Sequence, residues 1–238
     1  MEKNDENFGS VDLFYEKFYR HIVFGRGFSL KAVTRTHCMM EKKFKGKHYS
    51  QVLEIGGGNG EHLEFILHDY EKYYLTDIRK PVLEDKYLLD PRIIPQIANA
   101  EKLPFEDDFF DRIIVTCLLH HVIQPEQVLN EIVRVLRPTG VATIFLSCDP
   151  GLAVRVLREL TTAKIAKKSG FEGYKLMNAR DHRNHVGSLL NLAKFAFRNR
   201  KFKIRYFPWR IPSWNLNGYI IVEVSELLPR ARYPDDHF

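Results

Sequence analysis

The chain has 238 residues, of which 45% are hydrophobic and 28% charged, and its formal net charge is +6. This composition predicts a globular domain with a packed core and excludes a disordered or collagen-like chain. No apolar run is long enough to cross a membrane, and the polar, acidic opening does not read as a secretory signal.

The elements predicted along the chain begin with two helices, the first capped by Ser10 and the second ending near Phe44. From Gln51, short apolar runs alternate with helical patterns, which is typical of a parallel sheet with helices on both faces. Strands are predicted at 51–55, 73–77, 93–97, 112–117 and 141–147, with helices near 60–69, 81–88 and 125–137 between them. Helices at 152–168 and 186–199 follow, and then strands at 202–208 and 219–224 that could pair as an antiparallel edge.

The cysteines Cys38, Cys117 and Cys148 are odd in number and far apart. They form neither a disulfide framework nor a metal-binding pair, so we expect a cytoplasmic protein and assign no metal-binding residue.

A glycine-rich turn follows the first predicted strand, in the sequence VLEIGGGNGEH from Val52 to His62. Glycines are needed where a backbone turns sharply and must come close to a ligand. The dinucleotide fingerprint would place a glycine at position 61, where this chain has Glu61. A Walker loop would need the sequence Gly-Lys-Ser/Thr, which does not occur here, so neither motif is matched. Because Glu54 and Glu61 are acidic, the turn favours a cofactor without phosphates.

Asp77 ends the second predicted strand, 21 residues after Gly56. A carboxylate at this place can accept hydrogen bonds from both ribose hydroxyls of an adenosine. The alternative role, capping the helix expected after Pro81, is weaker because that helix starts some residues later.

Five stretches occur in a fixed order: LEIGGGNG (53–60), Asp77, NAEKLPF (99–105), FDRIIVTCLLHHV (110–122) and EIVRVLRPTG (131–140). In this combination the chain resembles the class I S-adenosylmethionine-dependent methyltransferases over roughly residues 50–148. Two positions depart from the family pattern: Asn99 replaces the usual aspartate, and Thr139 replaces the first glycine of PGG. Asparagine can still accept a hydrogen bond from an adenine amino group.

The resemblance implies an α/β fold with a Rossmann-like seven-stranded sheet, mostly parallel with an antiparallel strand 7. It also implies one domain with four parts. These are an N-terminal helical cap (1–48), a cofactor-binding core (49–148), an acceptor lid between strands 5 and 6 (149–200), and the last two strands with a tail (201–238).

The resemblance further implies S-adenosylmethionine as the methyl donor and S-adenosylhomocysteine as the product. Its cofactor-binding positions fall into four groups along the chain. Glu54, Gly56 and Gly58 would lie against the methionine part, Asp77 would hold the ribose, Asn99 and Ala100 would flank the adenine, and Thr116 and Cys117 would lie beneath the sulfonium.

An oxygen nucleophile would need a general base, whereas an amine would need only to be neutral and oriented. The candidate bases are His121, after the fourth strand, and His182 and His185 in the lid; polar loop packing is the alternative role for the lid pair. Candidate acceptor-binding residues are Tyr15 and Tyr19 in the N-terminal helices and Arg180 and Arg183 in the lid, because two guanidinium groups could hold a phosphate or carboxylate.

Residues 151–210 carry 15 Lys and Arg against 3 Asp and Glu, which favours an anionic partner or a solvated basic surface. We therefore expect methyl transfer to O or N of a small, anionic acceptor such as a nucleotide sugar, a glycan precursor or a lipid-linked precursor. RNA or protein methylation is one alternative, although nucleic acid is disfavoured because no fused RNA-binding module is visible. A non-catalytic protein that binds S-adenosylmethionine is another alternative.

The helix at 186–199 is expected to be buried rather than to lie on a membrane. No oligomeric state is predicted.

Overall fold

The structure is a computed structural model that describes residues 9–23 and 28–228. The tail expected after the last strand lies outside these residues from residue 229.

A seven-stranded sheet in the order β3-β2-β1-β4-β5-β7-β6 forms the centre of the fold. Strands β1 to β5 pair in parallel, and β7 runs antiparallel to both β5 and β6. The predicted Rossmann-like fold class is confirmed. The strands are β1 (His48–Ile55), β2 (Asp69–Asp77), β3 (Ile93–Ile97), β4 (Phe110–Val115), β5 (Leu136–Ser147), β6 (Arg200–Phe207) and β7 (Tyr219–Leu227).

The central strands are buried on both faces, as expected of a parallel sheet that is covered by helices. Leu53 and Ile55 of β1 and Ile113 of β4 belong to one apolar core, whereas Val52 of β1 and Ile114 of β4 belong to a second one on the opposite face. This alternation fixes the register, so the carboxyl ends of β1, β2 and β4 meet at one edge of the sheet.

The N-terminal helices pack against the segment between β5 and β6. Ser10 caps the first of them as predicted, because its hydroxyl accepts a hydrogen bond from the Leu13 amide at 3.3 Å. Phe14 is buried beside Phe171 and Met177 in a small separate apolar cluster. The helices are α1 (Val11–Leu13), a π-helical turn (Phe14–Phe18), α2 (Tyr19–Val23) and α3 (Phe28–Glu41), with a 3-10 turn at Lys42–Phe44.

The lid contains more helices than the sequence predicts. The single helix expected at 152–168 is wrong, because Thr161 has φ −120° and ψ −87° and separates α6 (Leu152–Leu160) from α7 (Thr162–Lys168). The polar stretch that follows includes α8 (Tyr174–Asp181). Helix α9 (Val186–Ala196) packs on α5 (Pro125–Val135) and buries Val186, Leu189, Leu190 and Ala193, which confirms its predicted burial.

Two shorter predicted helices are also corrected. The helix expected at 60–69 is a single 3-10 turn at Leu63–Phe65, because β2 already begins at Asp69 and the glycine turn occupies the start of the connection. The helix expected at 81–88 is reduced to α4 (Asp85–Leu88), since its first residues are extended. Within the described residues, no helix has both the length and the apolar character required to cross a membrane.

Candidate active site

The glycine turn after β1 has the backbone geometry that its sequence predicts. Gly56 and Gly58 have φ angles of +72° and +55°, which residues with a side chain rarely adopt. A Cβ at Gly56 would come within 3.0 Å of Leu118, and one at Gly58 within 2.9 Å of the Glu61 carboxylate. A side chain is therefore disfavoured at both positions, by the positive φ and, at Gly56, also by contact with Leu118.

The amide groups of this turn already donate to carboxylates of the chain itself. The Gly58 amide donates to Asp77 Oδ2 at 3.1 Å, and the Asn59 amide donates to Glu61 Oε2 at 2.9 Å. These carboxylates take the place that a phosphate needs in a dinucleotide site. The negative charge instead suits a ligand that carries positive charge, such as the sulfonium and ammonium groups of S-adenosylmethionine.

Asp77 lies at the carboxyl end of β2, half-buried and flanked by two exposed apolar side chains. Ile78 is 67% exposed and Ile97, the neighbour of Asp77 on β3, is 59% exposed. Exposed isoleucines beside a carboxylate fit an adenosine, because the base gains apolar contact while the ribose hydroxyls meet an acceptor. Ala100 is buried nearby, and the Asn99 side-chain oxygen accepts the Glu101 amide at 2.9 Å.

Glu54 lies beneath the glycine turn rather than on its surface. Its Oε2 accepts a hydrogen bond from the Tyr73 hydroxyl at 2.7 Å, and a Cβ at Gly57 would come within 3.0 Å of its carboxyl carbon. Burial raises the pKa of Glu54 to about 7. This side chain supports the turn from below, and its predicted contact with the methionine part of the cofactor stays a prediction.

The segment after β4 contacts the lid at an aspartate and at Asn184, whose side chain donates to the carbonyls of Leu119 and Val122. Thr116 and Cys117 follow the strand, and Cys117 has a φ of +52°. Beyond them, His121 Nδ1 lies 3.1 Å from Asp181 Oδ2, at the end of α8. The Tyr15 hydroxyl donates to the same oxygen at 3.0 Å. The core, the lid and the N-terminal helices therefore converge at Asp181.

His182 completes a group that we call the histidine–aspartate cluster, consisting of His121, Asp181 and His182. The two imidazole rings are perpendicular, with their centroids 4.8 Å apart. His182 Nδ1 lies 2.8 Å from Asp149 Oδ2, and Arg158 donates two hydrogen bonds to the same Asp149 carboxylate at 3.1 and 2.7 Å. The lid thus supplies two of the three cluster residues, Asp181 and His182, together with the supporting groups Asp149 and Arg158.

The environment gives the three cluster residues different protonation states. Burial disfavours the charged form of His121, but Asp181 and Cys117 outweigh it and raise its pKa to about 10. Burial raises the pKa of Asp181, yet its contacts with His121 and Tyr15 lower it overall. Burial lowers the pKa of His182. At neutral pH the cluster therefore contains a charged His121, an ionised Asp181 and a neutral His182.

The two predicted tyrosines cover the space above the strand ends. Burial is the main cause that raises the pKa of Tyr15 and of Tyr19 far above the usual range, and nearby carboxylates add to it. For Tyr19 these carboxylates include Glu61 and Asp77. The centroid of the Tyr15 ring lies 5.0 Å from that of Tyr19 and 6.5 Å from that of His121, so the N-terminal helices lie beside the segment after β4.

The structure does not bring the remaining predicted residues into the cluster. His185 is exposed at the start of α9, and Arg183 is exposed and donates to the carbonyl of Arg180 at 2.9 Å. Arg180 is exposed and donates to the Gly9 carbonyl at 3.2 Å. Sequence reasoning missed Asp181, Asp149 and Arg158; the one available signal was that Asp181 directly precedes His182 in RDHRNH.

Comparison with known proteins agrees with this geometry. Residues 53–144 match a family model described as a methyltransferase domain. The ubiquinone/menaquinone biosynthesis C-methyltransferase UbiE of Vibrio campbellii is 37% identical over 100 residues, covering 38% of each chain. UbiE of Coxiella burnetii is 32% identical over 112 residues, covering 43% of this chain and 45% of its own. The match thus spans less than half the length of these curated relatives.

Solved structures share the fold over a longer part of the chain. An S-adenosylmethionine-dependent methyltransferase of Thermotoga maritima superposes with a TM-score of 0.55 at 17% identity, covering 91% of this chain and 97% of its own. The [4+2]-cyclase SpnF superposes with a TM-score of 0.60 at 14% identity, covering 86% and 84%. At these identities the likeness concerns the fold alone.

Proposed function

Because the chain belongs to the class I S-adenosylmethionine-dependent methyltransferases, we propose that it transfers a methyl group to a small acceptor held at the histidine–aspartate cluster. When bound, S-adenosylmethionine supplies an activated methyl group: its carbon–sulfur bond breaks, the electron pair stays on sulfur, and S-adenosylhomocysteine is released. The chain has to hold the two reactants in line and exclude water.

One observation carries this proposal: the cluster lies at the carboxyl end of the strand next to the glycine turn. In open α/β sheets ligands bind beyond the carboxyl ends of the strands. Asp77 and the glycine turn fit an adenosine and a cationic donor on the β1–β2 side. His121 follows β4, on the other side of β1. The cluster is therefore close to where the methyl group would leave the donor.

The cluster favours an acceptor that loses a proton. An oxygen nucleophile must be deprotonated for the reaction, whereas a neutral amine needs no base. His182 is neutral and can accept a proton, whereas Asp181, whose lowered pKa keeps it ionised, can accept a hydrogen bond from the acceptor. The cluster is mostly shielded from water. We propose a hydroxyl or enol group in the acceptor.

The methyl group could go to that oxygen or to a carbon next to it. Ionised oxygen increases the electron density on the adjacent carbon of an enol or a phenol, which makes that carbon a nucleophile. The UbiE relatives are named C-methyltransferases, which supports the carbon as a second candidate. Tyr15 and Tyr19 offer aromatic surface to an unsaturated acceptor.

A negative charge elsewhere on the acceptor remains part of the proposal. The lid is basic, and Arg180 and Arg183 are exposed at its surface beside the cluster residues Asp181 and His182. A nucleotide sugar, a glycan precursor or a lipid-linked precursor would carry such a charge. RNA or protein as acceptor is an outcome that the following experiment distinguishes.

The test incubates the purified chain with methyl-labelled S-adenosylmethionine and an extract from its source, which is then separated into small molecules, lipids, RNA and protein. We expect label in the small-molecule or lipid fraction. Asp77→Ala should weaken both donor binding and transfer, while Asp181→Asn should lose transfer and keep donor binding. Label in RNA or protein, or no S-adenosylhomocysteine at all, would contradict the proposal.

A further inference from the structure

We propose that the histidine–aspartate cluster binds a divalent transition-metal ion, such as Zn²⁺, Fe²⁺ or Co²⁺, which holds an ionised oxygen of the acceptor. The role in acceptor binding rests on the proposed function, whereas binding of the ion itself does not.

The cluster offers a suitable set of ligands in a compact arrangement. His121, Asp181 and His182 each present one ligand atom, and these three atoms lie within 4.8 Å of one another. Two imidazole nitrogens and one carboxylate are a set that zinc and other first-row ions accept, with open positions left for a further ligand. Ligand atoms about 2.1 Å from an ion lie roughly 3 Å apart, and His121 Nδ1 and Asp181 Oδ2 are 3.1 Å apart.

The hydrogen bonding of the cluster is incomplete without a further partner. The Nδ1 atom of His121 is buried and makes no hydrogen bond of acceptable geometry, although Asp181 Oδ2 lies 3.1 Å away. His182 Nδ1 is in the same state beside a different carboxylate, that of Asp149. Buried polar atoms without a partner are costly and uncommon in folded proteins. An ion between His121 and Asp181 would satisfy both groups, and the proton they share would pass to the solvent.

The surrounding residues resemble the support that metal-binding histidines usually have. Such a histidine commonly has a carboxylate beside its second nitrogen, which fixes the ring. Asp149 lies 2.8 Å from His182 Nδ1 and is itself held by two hydrogen bonds from Arg158. With its Nδ1 beside Asp149, His182 would bind the ion through its other ring nitrogen.

Burial of the cluster also suits a site that takes a substrate ligand. The side chains of His121, Asp181 and His182 are 22%, 11% and 18% exposed, so they are mostly buried but still partly accessible to solvent. A bound divalent ion lowers the pKa of an oxygen ligand by several units. The acceptor hydroxyl would release its proton to the solvent as its oxygen binds the ion, and the ionised oxygen would be held beside the methyl donor.

The experiment uses the chelator-treated full chain and Co²⁺ alone, followed by visible absorption. We expect saturable binding of one Co²⁺ with a d–d absorption band. Asp181→Asn and His182→Gln should each weaken it at least about tenfold, as expected from loss of a ligand. His185→Ala, an exposed histidine in the same lid, should bind Co²⁺ like the wild type. Donor affinity and the thermal midpoint of each variant show whether it is folded.

Absence of a saturable band in the wild type would overturn the metal site, and so would equal binding by the Asp181→Asn/His182→Gln double variant. Donor binding without cobalt binding would reject the ion and leave the proposed methyl transfer intact. Cobalt binding without donor binding would reject the methyl transfer and leave the ion site.

Discussion

His121 Nδ1 lies 3.1 Å from Asp181 Oδ2, which joins the segment after β4 directly to the end of α8. Because Tyr15 donates to the same oxygen at 3.0 Å, the N-terminal helices, the lid and the segment after β4 share one carboxylate. An acceptor that binds at the histidine–aspartate cluster, as we propose, would have to replace or share these contacts.

Asp77→Ala should weaken S-adenosylmethionine binding by a few kcal/mol at most, since hydrogen bonds to a charged group contribute about 1.5–3 kcal/mol. Asp77 also accepts the Gly58 amide at 3.1 Å, so its loss would loosen the glycine turn as well. Isothermal titration calorimetry measures the change, with Asp90→Ala, which removes a surface carboxylate paired with Arg92, as the control. Unchanged affinity in Asp77→Ala would refute the ribose assignment.

Glu41→Ala should destabilise the fold by about 3–5 kcal/mol, because it leaves a buried cation without a partner. Glu41 and Arg112 are both fully buried, and an Arg112 guanidinium nitrogen donates to Glu41 Oε1 at 2.9 Å. Urea denaturation gives the free energy of unfolding, and Glu84→Ala, from an exposed pair with Lys86, is the matched control. A loss below about 1 kcal/mol would show that this pair does not anchor α3 to the sheet.

Stability should fall as the pH is lowered from 6.5 towards 4.5. Burial lowers the pKa of His37 to about 3 and that of His68 to about 4, so the unfolded chain takes up protons in this range that the folded chain does not. Each such histidine costs up to about 1.4 kcal/mol per pH unit. His121 affects stability in a different pH range. Its pKa is raised from 6.5 to about 10, so its contribution to the free energy of unfolding is lost only as the pH rises above 6.5.

Urea denaturation at several pH values measures this dependence. The double variant His37→Gln/His68→Gln should have a flatter profile between pH 6.5 and 4.5, whereas His48→Gln, which removes an exposed histidine, should keep the wild-type slope. An identical slope in the double variant would contradict the assignment of neutral, buried imidazoles.

Arg180→Ala with Arg183→Ala should raise the KM for an anionic acceptor and leave the affinity for S-adenosylmethionine unchanged. Each exposed charge contributes modestly, so the expected increase is about tenfold, or about 1.4 kcal/mol. Steady-state kinetics at low and high salt measure it, with Arg198→Ala at the end of α9 as the control. An unchanged KM would remove the anion-binding role of these two residues.

The sheet was predictable because its strands are short apolar runs bounded by turn residues. The structures of the connections between strands were not predictable, since they depend on the distance that each connection has to span in the fold. Leu63 to Phe65 form one 3-10 turn where a helix was expected, because the connection to β2 is too short. Thr161 divides a predicted helix through its backbone angles, although its residue type gives no strong signal.

The places of the glycine turn and of Asp77 at the carboxyl ends of β1 and β2 were predictable, because they follow from the order of the strands. The acceptor side depends on tertiary contacts between residues about 60 positions apart. His121 and Asp181 meet only after the lid has folded onto the core, so the sequence pointed to the histidines and missed the aspartate between them. The same applies to Arg158, which looks like a solvated charge in sequence and is paired with Asp149 in the fold.

The most direct test of the account is a crystal structure of the chain with S-adenosylhomocysteine bound. We predict the ribose hydroxyls on the Asp77 carboxylate, the adenine between Ile78 and Ile97, and the sulfur facing the end of β4 towards His121. A ligand bound elsewhere, or a sulfur directed away from the histidine–aspartate cluster, would contradict the account.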